Sequence, residues 1–434
     1  MKRIQVIAML LALVLPAAVI SCGKDDKDPS NGTETPEKPG KTDPETPDPG
    51  QGTYIDVKAG EDLQAAIDGA EAGMTVRVQG GVTFTGRFKM RDGVALSGGW
   101  DAAFTKADVE NNKTVLDGAS EGRTLDQNMD FEHETLVTGF EIKNGAEENG
   151  AGVYIKKNGI IDHCYIHDNT ATSGGGGIRI NAGGICRNSE ITNNVSNNNG
   201  GGAYVYGRIE NCEVTFNKAD KNCGGGLQVH DAGEVIACTI ARNSASNGGG
   251  IRTYGNGAVI VNCLVAANTK SSVGKLGGSG VTLNGNGTLV NCTIAGNLSS
   301  EEVDSQNAPG LYFGNASSDS PVCNCVIWGN QYNGGDASGR QIKGSRTAIE
   351  NCAVAGGDIV DPACLELSYT ETTTSDGVAP QFVSPANNIY RLKSTSPLID
   401  RGINDFAQVY PTDLDGAARK SGASVDLGCF EYQQ

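Results

Sequence analysis

Two columns of residues carry most of the chemistry this sequence offers. The second residue after successive glycine runs is Tyr154, Arg179, Tyr204, Gln228, Arg252, Thr282 and Tyr312. Two positions further on stand Lys156, Asn181, Tyr206, His230, Tyr254 and Asn284. Tyrosine faces stack on the C–H surfaces of sugars, while Arg, Asn and Gln hydrogen-bond hydroxyls and carboxylates. If these residues share one face, they make a track on which an extended polysaccharide can lie. The plainer alternative is that Tyr is there because it favours exposed strands and cross-strand stacking. Arg179, Arg252, His230 and Tyr206 would also supply the base and the neutralising charge that a polysaccharide lyase needs. That face offers no acidic cluster for calcium and no carboxylate pair for hydrolysis. The leading expectation is therefore non-enzymatic, adhesin-like binding of a glycan or host surface. A lyase acting on an acidic glycan along the same face is the alternative, and a structural spacer the third.

Two other groups invite a metal reading. Asp162-His163 and His167-Asp168 flank Cys164, and His-Cys-x-x-His has the look of a zinc set. An inward-pointing Cys164 would defeat it. Asp413-Leu414-Asp415-Gly416 has calcium-binding residue types, although an Asp-Gly turn accounts for it equally well. The expectation is no cofactor, with Ca²⁺ at Asp413 held open.

What positions the two columns is a repeat. Its strong form is Asn-Cys, any residue, Ile or Val, two residues, Asn, and then a Gly-Gly-Gly step. Cys164, Cys212, Cys238, Cys263, Cys292, Cys325 and Cys352 fill the Cys position, with Ser189 standing in once, at steps of 23 to 33 residues. The Asn five residues on is Asn169, Asn194, Asn217, Asn243, Asn268, Asn297 or Asn330. Self-similarity at this period marks a solenoid. Within each repeat, Ile178-Arg179-Ile180, Leu227-Gln228-Val229 and Cys292-Thr293-Ile294 alternate with period two, and no stretch is long enough for an amphipathic helix. The predicted fold is all-β: a parallel β-helix with three short strands per coil, an architecture that resembles the right-handed, pectate-lyase-like solenoids. Counterpart residues then stack about 4.8 Å apart. The repeated Asn should form a buried amide ladder and the Cys a column of small apolar side chains. Parallel thiols stacked in this way are poorly placed to bridge, so a reduced ladder is expected. Cys323, Cys325 and Cys364 leave or crowd the column, and a bridge among them stays open.

Chain order sets the rest. Residues 1–21 read as a secretory signal: Lys2-Arg3, then an apolar run to Ile20. Residues 23–52 hold six prolines and eight acidic residues with no aromatic, a tether reaching up to ~100 Å. Leu63 to Ala70 predicts a short helix covering the first coil, followed by a strand over 75–78. The β-helix is expected over 53–368 and a closing segment over 369–434. On a second outer face Glu190 and Glu213 give way to Leu264, Ala266, Ala295, Val326 and Trp328. Such an apolar stripe needs a cover, and the segment after Ser368 is the candidate. The formal charge of −17 argues against nucleic-acid partners. A monomer is expected.

Several of these motifs resemble known families. Val19-Ile20-Ser21-Cys22 resembles the bacterial lipobox, which implies cleavage before Cys22 and lipidation of its thiol. Lys24-Asp25-Asp26 is similar to the acidic export signal of Bacteroidota lipoproteins, which implies an outer-membrane lipoprotein displayed at the cell surface. Ala65-Ala66-Ile67, Leu96-Ser97-Gly98-Gly99-Trp100, Val115-Leu116-Asp117-Gly118 and the Gly-Gly-Gly-Ile steps resemble bacterial right-handed β-helix proteins with the polymorphic outer-membrane-protein repeat. The tail Ser396-Pro397-Leu398-Ile399-Asp400-Arg401-Gly402 to Val425-Asp426-Leu427-Gly428-Cys429-Phe430-Glu431-Tyr432 resembles the closing segment of choice-of-anchor Q proteins. In that family an interchangeable C-terminal anchor follows. Here two residues follow Tyr432, in keeping with anchoring at Cys22. These resemblances imply fold and surface display, and no activity.

Overall fold

The computed structural model describes residues 52–271, 277–300, 307–314, 321–332, 341–344, 349–355, 364–368, 371–372 and 377–433. The expected signal segment, Cys22 and most of the expected tether lie outside them. The described chain winds into a parallel solenoid. One coil reads Gly159–Asp162, Tyr165–His167, Thr170–Gly174 and Ile178–Ile180, after which Ile185–Arg187 restarts beside the first strand. Stacking the coils builds sheet A and sheet B of 12 strands each, and sheet C of 10. These are the three expected strands per coil. The stretch between the ladder Asn and the glycines adds a narrower sheet D of eight strands.

The corners explain the repeat's wording. The residue before each repeat Cys, and before Ser189, has left-handed backbone: His163, Asn188, Asn211, Ala237, Asn262, Asn291, Asn324 and Asn351 all have φ between 46° and 54°. Asn tolerates that region best among non-glycine residues, hence Asn-Cys. The Cys that follows turns inward, and burial pushes the Cys164 thiol up to about 12. All the described cysteines are free thiols. Cys364 does not leave the column. It pairs through Leu365 with Ala353, and its Sγ accepts from the Cys352 N–H at 3.3 Å. The 12-residue step from Cys352 hid it from a period set by the earlier repeats.

At the next corner each ladder Asn is fully buried. Asn243 Nδ2 donates to Val214 O at 2.8 Å and to Asn268 Oδ1 at 3.0 Å, while its own Oδ1 accepts from Asn217 N and Nδ2. The pattern runs from Asn169 to Asn330, and Gln341 takes up the last position. The glycine runs follow because coils touch there: a Cβ on Gly176 would stand 2.3 Å from Gly201 O.

At the N-terminal end, helix α1 (Leu63–Gly69) is capped by Asp62 and buries Leu63 and Ile67 in the solenoid interior. At the other end, residues 377–433 lie against the apolar stripe. Phe382, Tyr390, Leu398, Leu427 and Phe430 cluster with Leu264, Ala266, Ala295, Val326 and Trp328. The Trp328 indole N–H donates to Ser368 O at 2.8 Å and its ring meets Phe382 edge-on at 5.5 Å. Phe406 and Tyr410 cover Val261, Val290 and Cys323 on sheet A in the same way. Corner asparagines grip the segment: Asn262, Asn324 and Asn351 donate to Thr412 O, Ile403 O and Arg401 O.

Candidate functional site

Sheet C carries the two columns, and its ladder fixes their register. Tyr154 pairs with Arg179, Arg179 with Tyr204, Tyr204 with Gln228, Gln228 with Arg252, Arg252 with Thr282, and Thr282 with Tyr312. His230 likewise pairs with Tyr254. One face therefore holds them all. Alternation sends Ile178, Ile180, Leu227 and Val229 inward, which is why the intervening residues face out.

The centre of this face is a ring cluster. His230 stacks on Tyr204 at 4.5 Å and lies 4.8 Å from Tyr206 and 5.1 Å from Tyr254. Tyr254 is 57% exposed and forms the open rim. Burial pulls the His230 imidazole down to about 4, opposed by Asp231 and reinforced by the Arg179 and Arg252 charges. At neutral pH it is an uncharged aromatic plate. Burial raises the Tyr204 phenol, which stays protonated.

Arg179 sits at one end of the cluster, its guanidinium 5.0 Å from the Tyr204 ring, 5.4 Å from Tyr154 and 5.6 Å from Tyr206. Its Nε donates to Asn181 Oδ1 at 3.1 Å and its Nη1 to Asn149 Oδ1 at 2.9 Å, so rings and amides hold it in place. At the other end, Arg252 Nη1 meets the Cys223 thiol, and its buried Nε has no hydrogen-bond partner. Between them Gln228 is 3% exposed and its Oε1 also lacks a partner. Cys223 and Asn149 stand on the sheet D wall beside the track, and sequence reasoning missed both because sheet D has no alternating pattern. The column also extends backward to Asp126 and Lys89 and forward to Lys343. Thr282 is buried, with its hydroxyl on Asn247, so the open part of the track ends at Arg252 and Tyr254 and does not run on to Tyr312.

The zinc set does not converge. The Cys164 sulfur faces the interior, 3.3 Å from Asp162 O. His163 turns to Asp162 at 2.7 Å, and His167 lies between Glu141 at 3.1 Å and Asp168 at 2.7 Å on the outer face of sheet B. Asp413 spends Oδ1 on the N–H groups of Asp415 and Ala417 and Oδ2 on that of Glu431, the bonding of a turn. Among the described residues Asp92, Glu132 and His133 do approach one another within 4.8 Å, at the exposed surface. Their spacing in sequence, across a full coil, gave no signal.

Residues 67–236 match the family model described as a right handed beta helix region. The fold is a right-handed parallel β-helix. Among solved structures, this β-helix is similar to the pectate lyase Pel9A, at 15% identity over 88% of this chain and 97% of that one, with a TM-score of 0.47. It is also similar to the A-module of the Azotobacter vinelandii mannuronan C-5 epimerase AlgE6, at 15% identity over 69% of this chain and 90% of that one, with a TM-score of 0.37. Each likeness is one of coiled parallel strands. No curated protein matches the chain.

Proposed function

We propose that this is a lipid-anchored surface β-helix whose sheet C binds an extended glycan lying along the solenoid axis. The observation that carries this is the ring cluster of Tyr204, Tyr206, His230 and Tyr254 between Arg179 and Arg252, all on one ladder-registered face. Coils stack at about the spacing of a strand ladder, so an aromatic or polar side chain meets the ligand at every step. Rings held against one another and by Arg179 lose little freedom on binding, which favours recognition by a preformed surface. The state of His230 supports binding over lyase chemistry: a base held near 4 is far weaker than one poised near neutral pH.

A glycan array with the full chain tests this. Binding is expected, without formation of unsaturated products. Tyr204→Ala combined with Tyr254→Ala should weaken affinity about tenfold, two stacking contacts being lost. An array on which nothing binds, or a double variant that binds as the parent does, contradicts the proposal. Unsaturated products released from a uronan would move the reading to a lyase on the same face.

A further inference from the structure

Among the described residues, most arginines that are partly removed from water follow one rule, and two on sheet C break it. A guanidinium removed from water needs a partner, and an acidic protein has carboxylates to spare. Among the described residues Arg77 pairs with Asp56, Arg123 with Asp126, Arg187 with Asp162, Arg208 with Glu234 and Glu210, and Arg391 with Asp415. The fully buried Arg419 is held differently: its Nη2 donates to the backbone oxygens of Asp426 and Gly428, and the charges of Glu431, Asp413 and Asp426 act on it from nearby. Arg179 and Arg252 are half-buried too, yet neither meets a carboxylate among the described residues. Their neighbours are amides, a thiol and tyrosine rings. Both stand on the same column of sheet C, three coil steps apart.

We infer that the counter-ions of Arg179 and Arg252 come with the ligand: the track takes an acidic glycan, bearing carboxylate or sulfate groups, and these two arginines hold its charges. The inference rests on the glycan reading above and adds the ligand's charge. The two positions are about 14 Å apart, three parallel-strand spacings, so the ligand spans several sugar units and places anionic groups at both ends of that stretch. Between them the Tyr204 ring meets the intervening sugars, with His230 and Tyr254 beside it. Local charge agrees. Lys156 and Arg123 lie on or beside the same face, against Asp126, already paired with Arg123, and Asp231. A β-helix with a net charge of −17 thus presents a positive strip along one face.

The test is titration of the full chain with three probes: an oligouronate, a sulfated oligosaccharide of similar length, and the carboxyl-reduced, neutral form of the oligouronate. At least one acidic probe should bind about tenfold more tightly than the neutral one, with affinity falling as salt is added. Arg252→Gln and Arg179→Gln should each remove most of that preference, the acidic probe losing far more affinity than the neutral one. Arg252→Lys, which keeps the charge, should restore part of it, and thermal melts at the parent temperature guard against misfolding. Which acidic probe wins separates carboxylate from sulfate recognition. Equal affinity for acidic and neutral probes, insensitive to Arg252→Gln but lost in the Tyr204→Ala/Tyr254→Ala variant, overturns the inference and leaves the glycan reading standing. Failure of all three probes to bind overturns both.

Discussion

At the scale of the residue, the ladder asparagines and the track arginines show opposite economies of polar groups. Each Asn amide is buried and fully engaged, so its loss strands donors on the preceding coil and deprives acceptors on both neighbouring coils. Asn243→Ala removes the acceptor for Asn217 N and Nδ2 and the donor to Val214 O. About 3 kcal/mol of local stability should go with it, since buried unsatisfied groups cost about 1–3 kcal/mol each. Hydrogen exchange of the coils from 203 to 254 checks this: faster exchange confined to those coils is expected, and unchanged exchange would contradict the ladder's role. The ladder was legible because its Asn recurs five residues after Cys. The arginines were legible as a column, but not as ions lacking partners. That property depends on which carboxylates the fold brings near, and spacing along one strand says nothing of them.

At the scale of the element, the alternation of three-residue strands was enough to place sheets A, B and C, because inward Ile, Val, Leu and Cys leave a period-two mark. Sheet D left little: Thr170–Gly174 is made of small residues with Ala171 its one apolar side chain, and its strands form because corners at Asp168 and Gly175 hold successive coils in register. The closing segment is a different kind of element, held to the solenoid by an apolar seam and by a knot of buried charge. Burial raises Glu431 to about 7, with Asp426 adding to it and Arg419 opposing, and burial raises Asp413 and Asp426 as well. A carboxyl whose folded value lies above its unfolded one favours the folded state when protonated. Docking of the segment is therefore tightest below about 4.5, weakens as pH rises through about 7, and is level above that. Melting curves from pH 5 to pH 8 should show this decline, and Glu431→Gln should flatten it. Equal slopes for parent and variant would show that Glu431 does not titrate in that window.

At the scale of the whole molecule, the solenoid divides its outer surface by task. The C-terminal halves of sheets A and B are occupied by the closing segment, through Phe406 and Tyr410 on one and Phe382 and Leu427 on the other. Sheet C keeps its rings and arginines open from Tyr154 to Tyr254. The repeat period foretold both surfaces, since a column of like residues becomes a face once coils stack. The most direct measurement of the central claim is hydrogen exchange of the β-helix with and without a bound acidic oligosaccharide. The account predicts slowed exchange in 178–181, 203–206, 227–230 and 251–254, with sheets A and B unchanged. Protection on sheet A or sheet B, with none on sheet C, would contradict it.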